Sequence, residues 1–323
     1  MLELPYGLSG GNGGIADALP DTRMKVLVTG ASGFVGRALC PFLESRGHGL
    51  VQAVRRAPVG AQVQVGEVGS RTDWRPFLSG VEAVVHLAAR VHVLHEGGEA
   101  LPLYDEVNRW GTLNLAMQAA EAGVRRLVFL SSVKVLGEEG IFTDASLPAP
   151  RDAYGWSKWE AEKALHTVAQ NTGLEVVILR PPLIHGPGVG ANMARLLAWV
   201  KRGLPLPLGA VNNRRSLLGV TNLADAIHAV LTHPAAAGKT WLVSDGEAVS
   251  TAQLIRLLAE VSGSRARLMP VPPSWLRLAG NLLGRGAEVE RLLGSLVVED
   301  HGLRTALGWH PPYSLREGLA LMA

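Results

Sequence analysis

A short β-branched run, Lys25-Val26-Leu27-Val28-Thr29, ends in Gly30-Ala31-Ser32-Gly33-Phe34-Val35-Gly36, and an amphipathic stretch over 34–46 begins at once. Strand, glycine turn and helix in that order leave few folds open. Gly30 permits a tight turn, Gly33 lets a backbone approach a diphosphate, and Gly36 lets the helix pack closely on the strand. The first N–H groups of such a helix, with its positive dipole end, favour an anion. The turn residues Gly30, Ser32, Gly33, Phe34, Val35 and Gly36 are therefore the candidate cradle of a dinucleotide.

The alternation continues. Gly47 stops the helix, 49–54 reads as a second strand, and apolar runs follow at 81–88, 127–131 and 176–179. Helical stretches at 113–121 and 154–169 separate them. Strands alternating with helices of this length give βαβ units, so the expected class is α/β, a Rossmann-type doubly wound parallel sheet. Beyond Arg180-Pro181-Pro182 the chain becomes rich in Pro and Gly, and 252–261 is one of several short helical stretches before Pro270, Pro272 and Pro273. The expected division is a dinucleotide-binding domain over 24–180 and a smaller C-terminal substrate domain over 181–323. Parts near 215–245 are expected to rejoin the first domain. Residues 1–23, with Gly10-Gly11-Asn12-Gly13-Gly14, read as a flexible extension ahead of a natural start at Met24. The stretch 275–283, apolar with flanking arginines, reads as a core or lid helix rather than a peripheral membrane contact.

Composition removes several classes. The 323 residues are 47% hydrophobic and 18% charged, which excludes a disordered chain. No uncharged apolar stretch reaches the length of an ordinary transmembrane helix. The single cysteine, Cys40, excludes a disulfide framework and fits a reducing, cytoplasmic setting. A net charge of +3, with basic residues reading as scattered, gives no nucleic-acid stripe. His86, His92 and His95 lack supporting carboxylates or thiols, so no metal site is expected.

Two patterns carry chemistry. Tyr154-Gly155-Trp156-Ser157-Lys158 puts a phenol and an ammonium one helical turn apart, and the ammonium is expected to lower the phenol pKa from about 10 toward working pH. Such a Tyr can move a proton to or from an oxygen while hydride moves at the adjacent carbon. Ser131-Ser132 closes a strand 22 residues before Tyr154, where a hydroxyl can hold the reacting oxygen. The second strand ends at Arg55-Arg56 where an NAD enzyme would carry an acidic residue. Two guanidiniums there suit a 2′-phosphate, so NAD(P) is expected with NADP(H) favoured over NAD(H).

From Met24 to its end the sequence resembles the extended short-chain dehydrogenase/reductases, the NAD-dependent epimerase/dehydratase family. Besides the glycine turn and the Tyr154/Lys158 pair, the resemblance rests on several further segments. They are His86-Leu87-Ala88-Ala89, Val107-Asn108-Arg109-Trp110-Gly111-Thr112, Leu179-Arg180-Pro181-Pro182, Asn222-Leu223-Ala224-Asp225 and Leu307-Gly308-Trp309-His310-Pro311. The resemblance implies a Rossmann domain and a nucleotide-sugar substrate, and it allows a homodimer. It implies Ser132, Tyr154 and Lys158 as the catalytic triad with Asn108 in support. It also implies Glu67 and Val68 near the adenine, and Leu87, Ala88, Ala89 and Pro181 against the cofactor. Lys134, Asn192 and Arg215 join Ser132 and Tyr154 as substrate contacts, Arg215 on the diphosphate. The Ser131-Ser132-Val133-Lys134-Val135-Leu136-Gly137-Glu138 segment is most similar to a bacterial polysaccharide subgroup of UDP-glucose 4-epimerase-like proteins and UDP-4-keto-sugar reductases. Leu136 and Leu183 depart from the family's frequent Tyr and Asn.

Three functions fit this pattern: a nucleotide-sugar reductase or epimerase, an extended dehydrogenase of a simpler ketone, and a non-catalytic dinucleotide-binding regulator. The intact Ser132, Tyr154 and Lys158 argue against the regulator, and Arg215 with Asn192 favours a nucleotide sugar, expected to be UDP-linked. Arg55-Arg56 tilts the expectation toward reduction of a UDP-4-keto-hexose, with a UDP-glucose 4-epimerase-type reaction as the alternative.

Overall fold

The computed structural model describes residues 23–91 and 100–323; residues 1–22, His92 and His95 lie outside the described residues. In chain order the strands are β1 (Lys25–Thr29), β2 (Gly49–Val54), β3 (Gln62–Gln64), β4 (Ala83–His86), β5 (Arg126–Leu130) and β6 (Gly140–Phe142). They continue as β7 (Glu175–Arg180), β8 (Leu183–His185), β9 (Arg215–Gly219), β10 (Thr240–Leu242), β11 (Ala248–Val249) and β12 (Leu296–Val298). The helices are α1 (Phe34–Ser45), α2 (Arg75–Leu78), α3 (Ala100–Tyr104), α4 (Gly111–Glu121), α5 (Ala153–Asn171) and α6 (Ala191–Lys201). After them come α7 (Val220–Thr232), α8 (Thr251–Val261), α9 (Pro273–Leu282), α10 (Gly286–Leu293), α11 (His301–Leu307) and α12 (Leu315–Ala320). A wide π-type turn, Asp105–Trp110, joins α3 to α4.

Seven strands form a parallel sheet in the order β10-β7-β5-β4-β1-β2-β3, so the chain winds outward from β1 in both directions. This is the expected Rossmann-type sheet. Residue alternation shows why both faces are covered: along β1, Val26 and Val28 join one core with Leu39 and Leu43 of α1 and Ile227 and Val230 of α7. Leu27 points the other way, into a core with Leu115 of α4 and Leu165 of α5. All three strand residues are fully buried, and truncating one such Leu to Ala costs about 2–5 kcal/mol.

Polar ties lock the second half onto the sheet. Arg126, fully buried in β5, donates from Nη1 to the carbonyls of Val230 (2.7 Å), Leu231 (3.0 Å) and His233 (2.9 Å), and from Nη2 to Glu175. The guanidinium thereby satisfies the otherwise unpaired C-terminal carbonyls of α7. Asp245 accepts from the Gly219 N–H (2.9 Å) and from Asn222 Nδ2 (2.7 Å), and Asn222 in turn grips the backbone of Tyr313. Trp309 Nε1 donates to Asp225 at 2.8 Å. The Asn222, Asp225 and Trp309 positions of the family-like segments thus fasten the chain end to α7.

A second sheet runs β11-β9-β12-β6, with β8 paired to β9. Its neighbouring core gathers Leu217, Ile255, Leu258, Leu293, Leu315 and Leu319. The stretch 275–283 is helical, but of its large apolar side chains only Leu276 packs against that core, so the expectation of a core helix is corrected. Only Gly280 of α9 is buried, while Trp275 is 70% exposed and Leu282 79%. Helical periodicity sets which residues share a face; packing of Gly280 against Val289 of α10 decides which face turns inward.

Candidate active site

β1 ends at Thr29, and Gly30 turns the chain at φ +71°, a left-handed conformation natural to glycine. A Cβ on Gly30 would stand 2.9 Å from the Ala88 amide nitrogen, and one on Gly36 would stand 2.4 Å from the Gly30 carbonyl oxygen. The turn therefore has no room for side chains. Gly33 caps α1 without a side-chain acceptor, so the leading N–H groups are presented to an outside acceptor. These residues fit a dinucleotide diphosphate.

The wall beside this turn is fixed by a buried relay. The Thr112 hydroxyl donates to the Asn108 carbonyl (2.6 Å), so it accepts from His86 Nε2 (2.9 Å). His86 Nδ1 then accepts from the Thr29 hydroxyl (2.7 Å), which accepts from the Ala88 N–H (3.2 Å). This network assigns the Nε2–H tautomer. Burial, with the nearby Lys158 charge, pushes the His86 pKa down to about 3, which keeps it neutral. His86 is thus a linker between the glycine turn, the 87–89 segment and the Asn108 turn, as the sequence reading of a structural histidine expected. Among the described residues no group of His, Cys, Asp or Glu could hold a metal ion.

At the far end of β2 the arrangement differs from a simple phosphate clamp. Arg56 Nη2 donates to Glu67 Oε1 at 3.0 Å, and Arg55 Nη1 lies 3.6 Å from Glu67 Oε2. Both guanidiniums are turned to a carboxylate that the sequence reading placed at the adenine. Val68 packs beneath, close enough that a Cβ on Gly111 would meet it at 2.9 Å.

The third component is α5. Asp152 caps it by accepting the Gly155 N–H at 2.7 Å. Tyr154, Lys158 and Glu162 then follow at intervals of four on one face. Ser132, just beyond β5, hydrogen-bonds the Tyr154 phenol and accepts the Lys134 N–H at 3.2 Å. Lys158 is 1% exposed, with Nζ 4.2 Å from the centre of the Phe129 ring. Ser132, Tyr154 and Lys158 therefore sit together. The expected lowering of the phenol pKa is corrected: burial first, then the Asp152 carboxylate, holds Tyr154 above its ordinary value, with the Ser132 hydrogen bond opposing. Burial also pushes Lys158 down to about 7, opposed by the Glu162 charge. Desolvation outweighs the pairing that spacing alone suggested.

Asn108 acts on the surroundings of this group. Its Oδ1 accepts the Arg90 N–H (2.8 Å), and its Nδ2 donates to the Arg90 carbonyl (3.0 Å) and to Ser157 Oγ (2.9 Å). Ser157 donates to the Tyr154 carbonyl at 2.8 Å. Asn108 is thus a positioning residue that ties the chain after β4 to α5. Lys134 is held by Glu138 and by Asp152, next to the start of α5. Asn192, exposed at the start of α6, is bonded to Arg195. Arg215 Nη1 donates to the carbonyls of Arg291 (2.7 Å) and Gly294 (3.1 Å), so it caps the C-terminus of α10. Pro181 follows β7, where its carbonyl accepts the Val133 N–H at 3.0 Å beside Ser132.

Sequence reasoning missed the support behind Lys158. Glu162 is fully buried and takes Arg180 Nε (3.0 Å) and Nη2, and the Ser131 hydroxyl as well. The signal was present, since Glu162 extends the Tyr154/Lys158 spacing by one more turn.

Residues 26–244 match the model of the NAD dependent epimerase/dehydratase family. This chain belongs to that family. It is accordingly an enzyme of the extended short-chain dehydrogenase type. A UDP-glucose 4-epimerase of Vibrio cholerae is 43% identical over 304 residues, covering 91% of this chain and 93% of the relative. A GDP-6-deoxy-D-mannose reductase of Pseudomonas aeruginosa is 29% identical over 312 residues, covering 91% and 94%. Among solved structures, MoeE5 in complex with UDP-glucuronic acid and NAD superposes with a TM-score of 0.75 at 26% identity, covering 92% of this chain and 97% of that one. In this epimerase/dehydratase family member, the glycine turn, the 87–89 segment and Ser132 follow the carboxyl ends of β1, β4 and β5, neighbouring strands of one parallel sheet.

Proposed function

We propose that this enzyme is a UDP-hexose 4-epimerase that holds NAD through turnover. The observation that carries this reading is the 43% identity to a UDP-glucose 4-epimerase across nine-tenths of both chains, on a chain that keeps Ser132 bonded to Tyr154. NAD, when bound, supplies a hydride acceptor and donor at the sugar carbon. Gly30, Gly33 and Gly36 would admit its diphosphate to the N-terminus of α1, with Leu87, Ala88, Ala89 and Pro181 as walls. Tyr154 would take the proton of the C4 hydroxyl and later return it to the same oxygen, once hydride has come back to the opposite face of C4. Ser132 holds the same oxygen, and the Lys158 ammonium stabilises the phenolate, with Glu162 maintaining the charge on Lys158. Arg215 serves the UDP diphosphate through its remaining guanidinium N–H groups, and Asn192 and Lys134 border the sugar.

Glu67 supports NAD over NADP, because its carboxylate already engages both guanidiniums and would repel a 2′-phosphate. One observation favours the second reading, reduction of a UDP-4-keto-hexose with NADPH. Arg55 and Arg56 are exposed and outnumber Glu67, so a phosphate could replace the carboxylate. The test is to incubate the purified enzyme with UDP-glucose and no added coenzyme. The epimerase reading expects an equilibrium mixture containing UDP-galactose. No UDP-galactose with or without NAD, together with NADPH consumption on a UDP-4-keto-hexose, would establish the reductase instead.

A further inference from the structure

The face of α9 that points away from the core carries a continuous apolar stripe. Trp275, Leu278, Ala279, Leu282 and Leu283 follow at i, i+3, i+4, i+7 and i+8, the repeat of one helical face. Trp275 is 70% exposed, Leu278 62%, Leu282 79% and Leu283 74%. The inward face is already used: Leu276 packs on the C-terminal core, and a Cβ on Gly280 would stand 2.6 Å from Val289 of α10. Rolling the helix to hide the stripe would force α10 away.

The charge around the stripe is as uneven as its hydropathy. Segment 265–291 holds Arg265, Arg267, Arg277, Arg285 and Arg291 against Glu288 and Glu290 only. The rest of the chain has as many acidic as basic residues, so this segment accounts for the whole net charge of +3. The basic residues are therefore not evenly scattered. All five arginines are exposed.

We propose that α9 docks this enzyme in the surface of an anionic lipid bilayer, lying in the plane of the interface. The inference goes beyond the epimerase reading and does not depend on it. Trp and Leu on one helix face, within a segment whose exposed arginines exceed its acidic residues even though Arg277 is paired with Glu290, suit acyl chains below and lipid phosphates above. No helix among the described residues is long and apolar enough to cross a membrane, so the contact is peripheral. A second copy of the chain is the weaker occupant. An isologous contact would set this arginine-rich segment against itself, and like charges there repel.

The test is co-sedimentation of the full chain with phosphatidylcholine vesicles, with and without phosphatidylglycerol. We expect binding to the phosphatidylglycerol vesicles, weakened by salt, and at least about tenfold weaker binding to phosphatidylcholine alone. Trp275→Ser/Leu278→Ser/Leu282→Ser should reduce vesicle binding by about tenfold or more while the melting temperature holds. Arg267→Gln/Arg285→Gln should flatten the salt dependence. Absence of vesicle binding, or binding untouched by the stripe substitutions, would overturn the proposal. So would a wild-type dimer that the stripe substitutions convert to monomer, since a second copy would then be what covers α9.

Discussion

Helices α5 and α9 depart from an ordinary surface helix in opposite directions. α5 buries what helices usually show to water: Lys158 and Glu162 are 1% and 0% exposed. α9 shows what helices usually bury. Scattered exposed Leu side chains need no explanation, whereas buried charges and contiguous apolar faces do. In α5 the buried charges are held by Arg180, Ser131 and the Phe129 ring, one and two turns from Tyr154, the proposed acid–base. In α9 nothing among the described residues covers the stripe. The first departure is compensated within the molecule, and the second is available for something outside it.

The largest effect separating the two helices is on rate. Tyr154→Phe keeps the ring and removes the proton donor, so turnover should fall by about 10²–10⁴-fold with the melting temperature nearly unchanged. Retained turnover above a few per cent of wild type, on the order of the lower bound, would remove Tyr154 from the chemistry.

Stability should divide the helices next. Glu162→Ala leaves Arg180 buried without its partner and should cost about 3–5 kcal/mol in urea unfolding. A loss as small as that of a surface pair, about 0–1 kcal/mol, would mean that the Glu162–Arg180 pair is not desolvated.

The pH dependence of stability tests the buried ammonium itself. An unfolded Lys keeps its proton to about pH 10.4, whereas burial lowers native Lys158 to about 7. Between these values the unfolded chain binds more protons, so this residue makes stability rise with pH, by at most about 1.4 kcal/mol per unit. Lys158→Met should remove that increment from the difference between wild-type and variant denaturation curves. Identical slopes for the two would show that Lys158 stays fully protonated.

The smallest effect belongs to α9. Leu278→Ser should change folding stability by no more than about 0.5 kcal/mol, because its side chain is already in water. A loss like that of a core leucine, about 2–5 kcal/mol, would show that α9 packs inward in solution.

The legible parts of this molecule were those written in adjacent residues. The β1–turn–α1 unit shows in the chain because the strand, Gly30, Gly33, Gly36 and the helix stripe are contiguous. Ser132, Tyr154 and Lys158 were readable because a strand end and an i, i+4 spacing fix their placement locally. Contacts between distant segments were not. Glu67 meets Arg55 and Arg56 only because β3 pairs in parallel with β2 and brings the chain back alongside. Glu162 finds Arg180 because β7 lies beside β5 at the foot of α5. The pKa of Tyr154 followed from the solvent it loses, which spacing does not report. For α9, the apolar stretch 275–283 was readable as a helix but not as one that leaves its apolar face outward, because the contact between Gly280 and Val289 sets which face turns in.

The most direct test of the central claim follows the hydrogen at C4 of the sugar. UDP-glucose carrying deuterium at C4 is turned over to UDP-galactose in ordinary water, and the product is examined by NMR. If Tyr154 moves only the hydroxyl proton while the C4 hydrogen travels as hydride within one site, UDP-galactose keeps the deuterium at C4. Deuterium replaced by solvent hydrogen would mean that the C–H bond breaks by proton transfer, and that outcome would contradict the account.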